Sequence, residues 1–222
     1  MAEPTTASTA ATAVAWIGVA GVVLGAILGA VLTVLRELIV DRAKAKKDKQ
    51  YLVILVSTQL DRFVLGCADV VDDDGLCRGQ PDKDGCRAAQ TTPPSFKPEL
   101  LQVDWKSLPV DLMHRVLDFP FAIEQVDARL QSIGEDSDPP DYADWFDERQ
   151  FAYANLASTA AVLADDLRMA VGVPTRPAEE WRTRRHILDR LEVINLRRKR
   201  LSDKHFLTAP IFGHPVVQGD SI

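Results

Sequence analysis

Residues 12–35 read TAVAWIGVAGVVLGAILGAVLTVL, and no charged side chain occurs from Thr5 to Leu35. A helix rises 1.5 Å per residue, so about 20 apolar residues cross the hydrocarbon core of a bilayer; this run is long enough, with tilt to spare. It predicts a transmembrane helix over 13–35. Residues 1–12 are small and polar without periodicity, and are expected to be disordered. They lack the positive n-region of a secretory signal, the apolar run exceeds an h-region, and no small-x-small site closes it, so an uncleaved anchor is expected.

Charge on the two flanks sets the expected orientation. Residues 1–12 carry Glu3 and no Lys or Arg, whereas Arg36, Arg42, Lys44, Lys46, Lys47 and Lys49 follow the span. The positive-inside rule then places the N-terminus outside and the rest of the chain in the cytoplasm, at a bacterial inner membrane. Residues 36–50 are expected as a basic juxtamembrane helix. Within the span Gly18, Gly21, Gly25 and Gly29 fall on one helical face. Bare glycine lets a second helix approach closely in lipid, so a homo-oligomer packed through this strip is one expectation. Trp16 suits an interfacial anchor.

Downstream the pattern is helical throughout. Leu52, Val56, Leu60, Phe63, Val64, Cys67 and Val71 recur at spacings of three and four. Tyr51–Val56 alone is too short to cross a bilayer a second time. Residues 72–98 form a long acidic loop rich in Gly and Pro, a type of connection that is functional or disordered when found in a compact domain. Further helices are expected over Ser107–Leu130, with Pro120 splitting or kinking it, over Asp141–Val171, and from Pro177 to about residue 204. Their inner faces are read as Leu108, Leu112, Val116, Leu117, Ile123, Val126 and Leu130; then Phe146, Tyr153, Leu156, Ala160, Leu163, Leu167 and Ala170; then Trp181, Leu188, Leu191, Ile194 and Leu201. Residues 205–222 look irregular. The fold class is therefore all-α: one N-terminal transmembrane helix, then an antiparallel bundle of about four helices over 51–204.

No chemistry declares itself. There is no phosphate loop, GxSxG elbow or HExxH. His114, His186, His205 and His214 are scattered, and Asp165 and Asp166, adjacent on a helix, point about 100° apart. DKDG at Asp82–Gly85 imitates part of a calcium loop, but its first and twelfth positions would be Gln80 and Thr91 where Asp and Glu are needed. Cys67, Cys77 and Cys86 do not form a disulfide framework or a zinc pattern; a Cys77–Cys86 pair requires an oxidising compartment. No catalytic residue, metal or cofactor is assigned. The formal net charge of −6 argues against nucleic acid as a partner. The expected partners are the bilayer itself, a second copy, and a protein whose identity the sequence does not give. Two basic groups, Arg42, Lys44, Lys46, Lys47 and Lys49, and Arg197, Arg198, Lys199 and Arg200, are the candidates for contact with anionic lipid heads.

Three phrases carry a resemblance: YLVILVSTQLDRFVLGCADVV from Tyr51, VDWKSLP from Val103 followed by RVLDFP from Arg115, and ASTAAVLADDLRMAVGVP from Ala157. Over roughly Tyr51 to Trp181 the chain resembles a group of uncharacterised bacterial single-span membrane proteins with a helical cytoplasmic domain. The resemblance implies the same architecture and no particular activity. A membrane-anchored interaction, scaffold or sensor module is thus the leading expectation. A membrane-anchored hydrolase or ligand-binding domain, and an oligomerising membrane effector of phage or defence type, are its rivals.

Overall fold

The computed structural model describes residues 6–137, 139–140, 142–175 and 181–208, with side chains at Gly29, Leu32 and Thr33 and from Leu35 to Arg200 within those segments. Among the described residues are four α-helices and no strand: α1 (Thr6–Asp72), α2 (Val110–Asp136), α3 (Ala143–Met169) and α4 (Arg182–Thr208). Two 3-10 turns, Pro98–Leu100 and Trp105–Ser107, precede α2. The chain divides into two units, Met1–Tyr51 and Leu52–Ile222.

In the first unit α1 begins at Thr6, inside the stretch expected to be disordered; Ala7, Ala10 and Ala11 are strong helix formers. Among the described residues one helical stretch near the N-terminus, Leu35–Asp72, is long and apolar enough to cross a membrane by length and composition, and 56% of its most apolar window is buried. Leu32, Leu35, Leu38, Ile39 and Val40 are all exposed in this unit. Most side chains of the span expected over 13–35 lie outside the described residues.

The second unit is a helical bundle with its own core. Every member of the stripe read from Leu52 to Val71 is buried, none more than 2% exposed. Tyr51–Val56 therefore begins a core helix, not a second crossing. Helix α3 is the centre. It runs antiparallel to α2, because Tyr153 reaches Asp127 near the start of α3 while Asp166 reaches Arg115 near its end. It is antiparallel to α4 through Arg197–Asp147 at one end and Arg184–Asp165 at the other. It is also antiparallel to the last turns of α1, through Arg149–Asp73 and Arg168–Asp61. It follows that α1 and α2 run the same way, which is why residues 73–109 must cross the length of the bundle.

Three details depart from the sequence reading. Pro120 does not split α2: the helix continues through it to Asp136, past Gly134, whose missing side chain makes room for Trp145. The indole Nε1–H of Trp145 donates to the carbonyl of Leu130 at 2.9 Å, which closes the α2–α3 corner. In α4 the inward residue is Ile187 at 1% exposure, while Leu188 is 45% exposed. The inner face there is set by Ile187 and Ile194, two turns apart. Leu117 and Ala170 also face outward, and Leu201 lies outside the described side chains.

Candidate functional site

The long loop after α1 is an ordered cap, and one carboxylate organises it. Asp73 Oδ1 accepts from Gly75 N–H at 3.0 Å. Asp73 Oδ2 accepts from the backbone N–H of Gln90 and of Thr91, both at 2.9 Å, and from the Thr91 hydroxyl at 2.8 Å. Arg149, from the first turns of α3, donates to the same oxygen at 2.9 Å through Nη1 and to the Thr91 carbonyl at 2.8 Å through Nη2. Gln150 Nε2–H donates to the Asp73 carbonyl at 3.0 Å. The Asp73 and Arg149 side chains are 1% and 2% exposed. Burial by itself raises the Asp73 carboxyl, but the hydrogen bonds from Gly75, Thr91 and Arg149 outweigh it and hold the group below its ordinary value. A buried carboxylate that accepts five hydrogen bonds, four of them at Oδ2, acts as a clasp between the loop and α3.

The clasp draws the loop onto the bundle. Pro94 packs so close to Gly66 of α1 that a Cβ there would lie 2.7 Å from it. Phe96 is buried and meets Phe119 edge-on at 5.7 Å, and Phe119 meets Phe63 at 5.2 Å. The Asp82–Cys86 stretch is a self-contained turn, with Asp82 Oδ1 accepting from the N–H of Asp84 and of Cys86. Asp82 Oδ1 is thereby engaged by the backbone of its own turn. Among the described residues, no group of three or more His, Cys, Asp or Glu side chains is placed to hold a metal ion.

A second polar system ties the opposite end of α3. Arg168 Nη2 donates to Asp61 Oδ2 at 2.6 Å, with both side chains under 10% exposed. Asp165 pairs with Arg184, and Asp166 with Arg115. The two adjacent aspartates thus turn to opposite neighbours, as their spacing requires. Tyr153 is fully buried, and its hydroxyl donates to Asp127 at 2.6 Å; burial and this carboxylate push the phenol far above its ordinary value.

The cysteines separate by environment. Burial pushes the Cys67 thiol well up, whereas Cys77 is exposed and Cys86 half-buried. Only the thiolate reacts. In the native protein at pH 8, maleimide is expected to modify Cys77 first and to leave Cys67 untouched until denaturant is added, as peptide mass spectrometry reads directly.

The residues singled out from sequence fall as follows. Gly18, Gly21 and Gly25 lie on the α1 backbone with their surroundings outside the described residues. Gly29 is open, with nothing within 4 Å of where a Cβ would stand, and Thr33 hydroxyl donates to its carbonyl at 2.9 Å. Arg42, Lys44, Lys46 and Lys47 are exposed and Lys49 half-buried. In the second group, Arg197 is engaged by Asp147 at 2.6 Å, and Arg198 by Glu148 at 2.6 Å with its guanidinium 3.9 Å over the Phe151 ring. Lys199 and Arg200 are exposed.

Among the described residues, a concave surface between two helices has a mainly apolar lining. Between α2 and α3 lies an open cavity of about 390 Å³ lined by Val126, Phe151, Ala152 and Leu156, with the exposed Asn155 and Thr159 at its rim. The Asn155 amide donates to the Phe151 carbonyl at 2.8 Å and the Thr159 hydroxyl to the Asn155 carbonyl at 3.0 Å. Each of these side chains thus makes one bond back to its own helix. Arg129 and Glu148 also line it, and both Arg129 and Arg198 pair with Glu148. No family model, curated protein or solved structure matches the chain.

Proposed function

We propose that the chain is a single-pass protein of a bacterial inner membrane, N-terminus outside, whose helical bundle works in the cytoplasm as an anchored interaction, scaffold or sensor module. The observation that carries this reading is the charge-free run ending at Leu35 with six basic residues on its C-terminal side and none before it. The exposed Leu35, Leu38 and Ile39, followed by exposed Arg42, Lys44, Lys46 and Lys47, support it, since apolar residues giving way to cations is the order met on leaving a bilayer towards anionic heads. The glycines at 18, 21, 25 and 29 support pairing of two such spans. The second basic group contributes less: Arg197 and Arg198 serve the α3–α4 seam, leaving Lys199 and Arg200 for lipid.

Membrane residence is tested by carbonate extraction, which releases peripheral proteins and retains spanning ones. Orientation is tested by fusing a periplasm-only and a cytoplasm-only reporter after Ile222. Retention with a cytoplasmic signal is the expected outcome. Release into the wash overturns the anchor, and a periplasmic signal overturns the orientation and directs attention to a Cys77–Cys86 disulfide.

A further inference from the structure

Ion pairs dominate the seam that holds α4 to the bundle. Arg184 pairs with Asp165, Arg190 with Asp72, Arg197 with Asp147 and Arg198 with Glu148. His186 Nε2 also lies 2.7 Å from Asp72 Oδ2. The four arginines are 22–48% exposed, whereas both members of the α1–α3 pairs Asp73–Arg149 and Asp61–Arg168 are 1–7% exposed. Apolar support is thin: α4 buries Ile187 and Ile194 between Arg182 and Arg200, where α3 buries fifteen side chains. Half-exposed pairs are weak and screened by salt, so α4 is the helix that leaves the bundle at least cost. We propose that α4 exchanges as a unit between this acidic seat and the surface of an anionic bilayer. The exchange rests on the reading of the chain as membrane-anchored with its bundle in the cytoplasm, and gives one helix of that bundle a second position.

Three observations select lipid as the second position. The first is composition. From Arg182 to Arg200 the helix has eight Lys or Arg against two acids, Asp189 and Glu192. Ile187, Leu188, Leu191 and Ile194 share one side of it, the spacing of a helix that lies in a membrane interface. Leu188, at the edge of that side, is 45% exposed in the seat and gains acyl cover on a bilayer. The second is chemical equivalence. A guanidinium fork that grips a carboxylate grips a lipid phosphate through the same paired bonds. Arg184, Arg190, Arg197 and Arg198 therefore exchange Asp165, Asp72, Asp147 and Glu148 for phosphates without losing a partner. An anionic surface also attracts every cation within a Debye length of it. The third is what stays behind. Glu148, the most buried acid of the seat, keeps Arg129, and Asp165 keeps Arg168. Asp72 and Asp147 are 51% and 36% exposed and return to water. Release thus strands no buried charge.

The test uses the full chain with Cys77→Ser and Cys86→Ser, and spin labels at Val162→Cys on α3 and Asn195→Cys on α4, both exposed positions. Cys67 stays buried and unlabelled. Lipid discs of phosphatidylcholine alone are compared with discs of phosphatidylcholine and phosphatidylglycerol in equal parts. Pulsed electron–electron distance measurement is expected to give one seated separation in the neutral discs and a second, longer one in the anionic discs. Asp72→Asn with Asp147→Asn removes two exposed countercharges and should raise the ratio of long to seated separations about tenfold. Circular dichroism shows whether that variant keeps its helices, and the parent chain carries the lipid comparison without it. A single seated separation in both discs overturns the exchange, and a ratio unmoved by the variant overturns the ion pairs as its control. A longer separation equally abundant in neutral discs overturns lipid as the destination. One that disappears on dilution with unlabelled chain overturns it in favour of an α4 swapped from a second copy. A chain that does not enter discs at all sinks the anchored reading first and the exchange with it, so the two failures are told apart.

Discussion

Arg149→Ala is expected to destabilise the bundle by about 3–5 kcal/mol, the usual cost of leaving a buried charge without its partner. The argument is geometric. Arg149 holds Asp73 Oδ2 and the Thr91 carbonyl at 2.9 and 2.8 Å, and both ionic side chains are essentially sealed from water. Truncation leaves the carboxylate with its backbone donors but no countercharge. Arg149→Lys keeps a charge yet loses the two-pronged grip, and should fall between. Urea unfolding of the detergent-solubilised chain, followed by helical circular dichroism, measures both; a loss below about 1 kcal/mol for the alanine variant, the range of exposed pairs, would falsify the clasp.

The same carboxylate gives a pH dependence whose sign is fixed. The folded value of Asp73 lies below the unfolded one, near 3.9, so its contribution is fully present above that pH and is lost as pH falls through the depressed folded value. Asp73→Asn should lower stability at pH 7 and flatten the acid limb of the stability curve. An acid limb identical to that of the parent chain would assign it to other carboxylates.

Gly75→Ala is the second large effect, expected at about 2–5 kcal/mol from strain and overpacking together. Gly75 has φ +78°, and a Cβ there would lie 2.2 Å from Phe146 Cζ. Phe146 cannot simply swing away, since its ring stands edge-on to Trp145 at 4.8 Å. Gly79 supplies the control, with the same φ of +78° and nothing within 4 Å. Gly79→Ala carries the left-handed penalty alone, about 1–2 kcal/mol. The difference between the two variants isolates the collision with Phe146; equal losses would show that the loop relaxes around it.

Much of the architecture was legible because apolar periodicity is a local signal. The α1 stripe from Leu52 to Val71 is read correctly at every position, and the four helices of the bundle appear where the spacing puts them. In α4 the reading took Leu188 for Ile187, since both fit a sparse pattern in a helix rich in arginine. Of the two outcomes expected at Pro120, a split or a kink, the split does not occur: a helix held by burial of Val116, Phe119 and Ile123 continues across one missing hydrogen bond. What sequence could not supply is the pairing of charges far apart along the chain. Asp73 meets Arg149 across 76 positions and Asp61 meets Arg168 across 107. Nothing local distinguishes these residues from solvated ones such as Asp74 or Arg185. The tie-down of the loop follows from that same long-range pairing, so its Gly and Pro content leaves a functional and a disordered loop equally open and does not reveal the clasp. The cavity, too, depends on which faces of α2 and α3 remain uncovered.

The central position of α3 dictates an order of events during synthesis. Helices α1 and α2 leave the ribosome first, and both pair with α3, which does not exist until residue 169 has been made. Until then the apolar face from Leu52 to Val71 and the inner face of α2 cover each other only in part, through contacts such as Phe63 on Phe119, and Asp61 and Asp73 wait for arginines that come more than seventy positions later. The nascent chain therefore carries a large sticky surface through most of its translation, and its closure is gated by the arrival of one helix. A ribosome pausing before α3 would hold an aggregation-prone half-protein, whereas one pausing after Met169 would hold a nearly closed core that needs only α4 to seal its last flank.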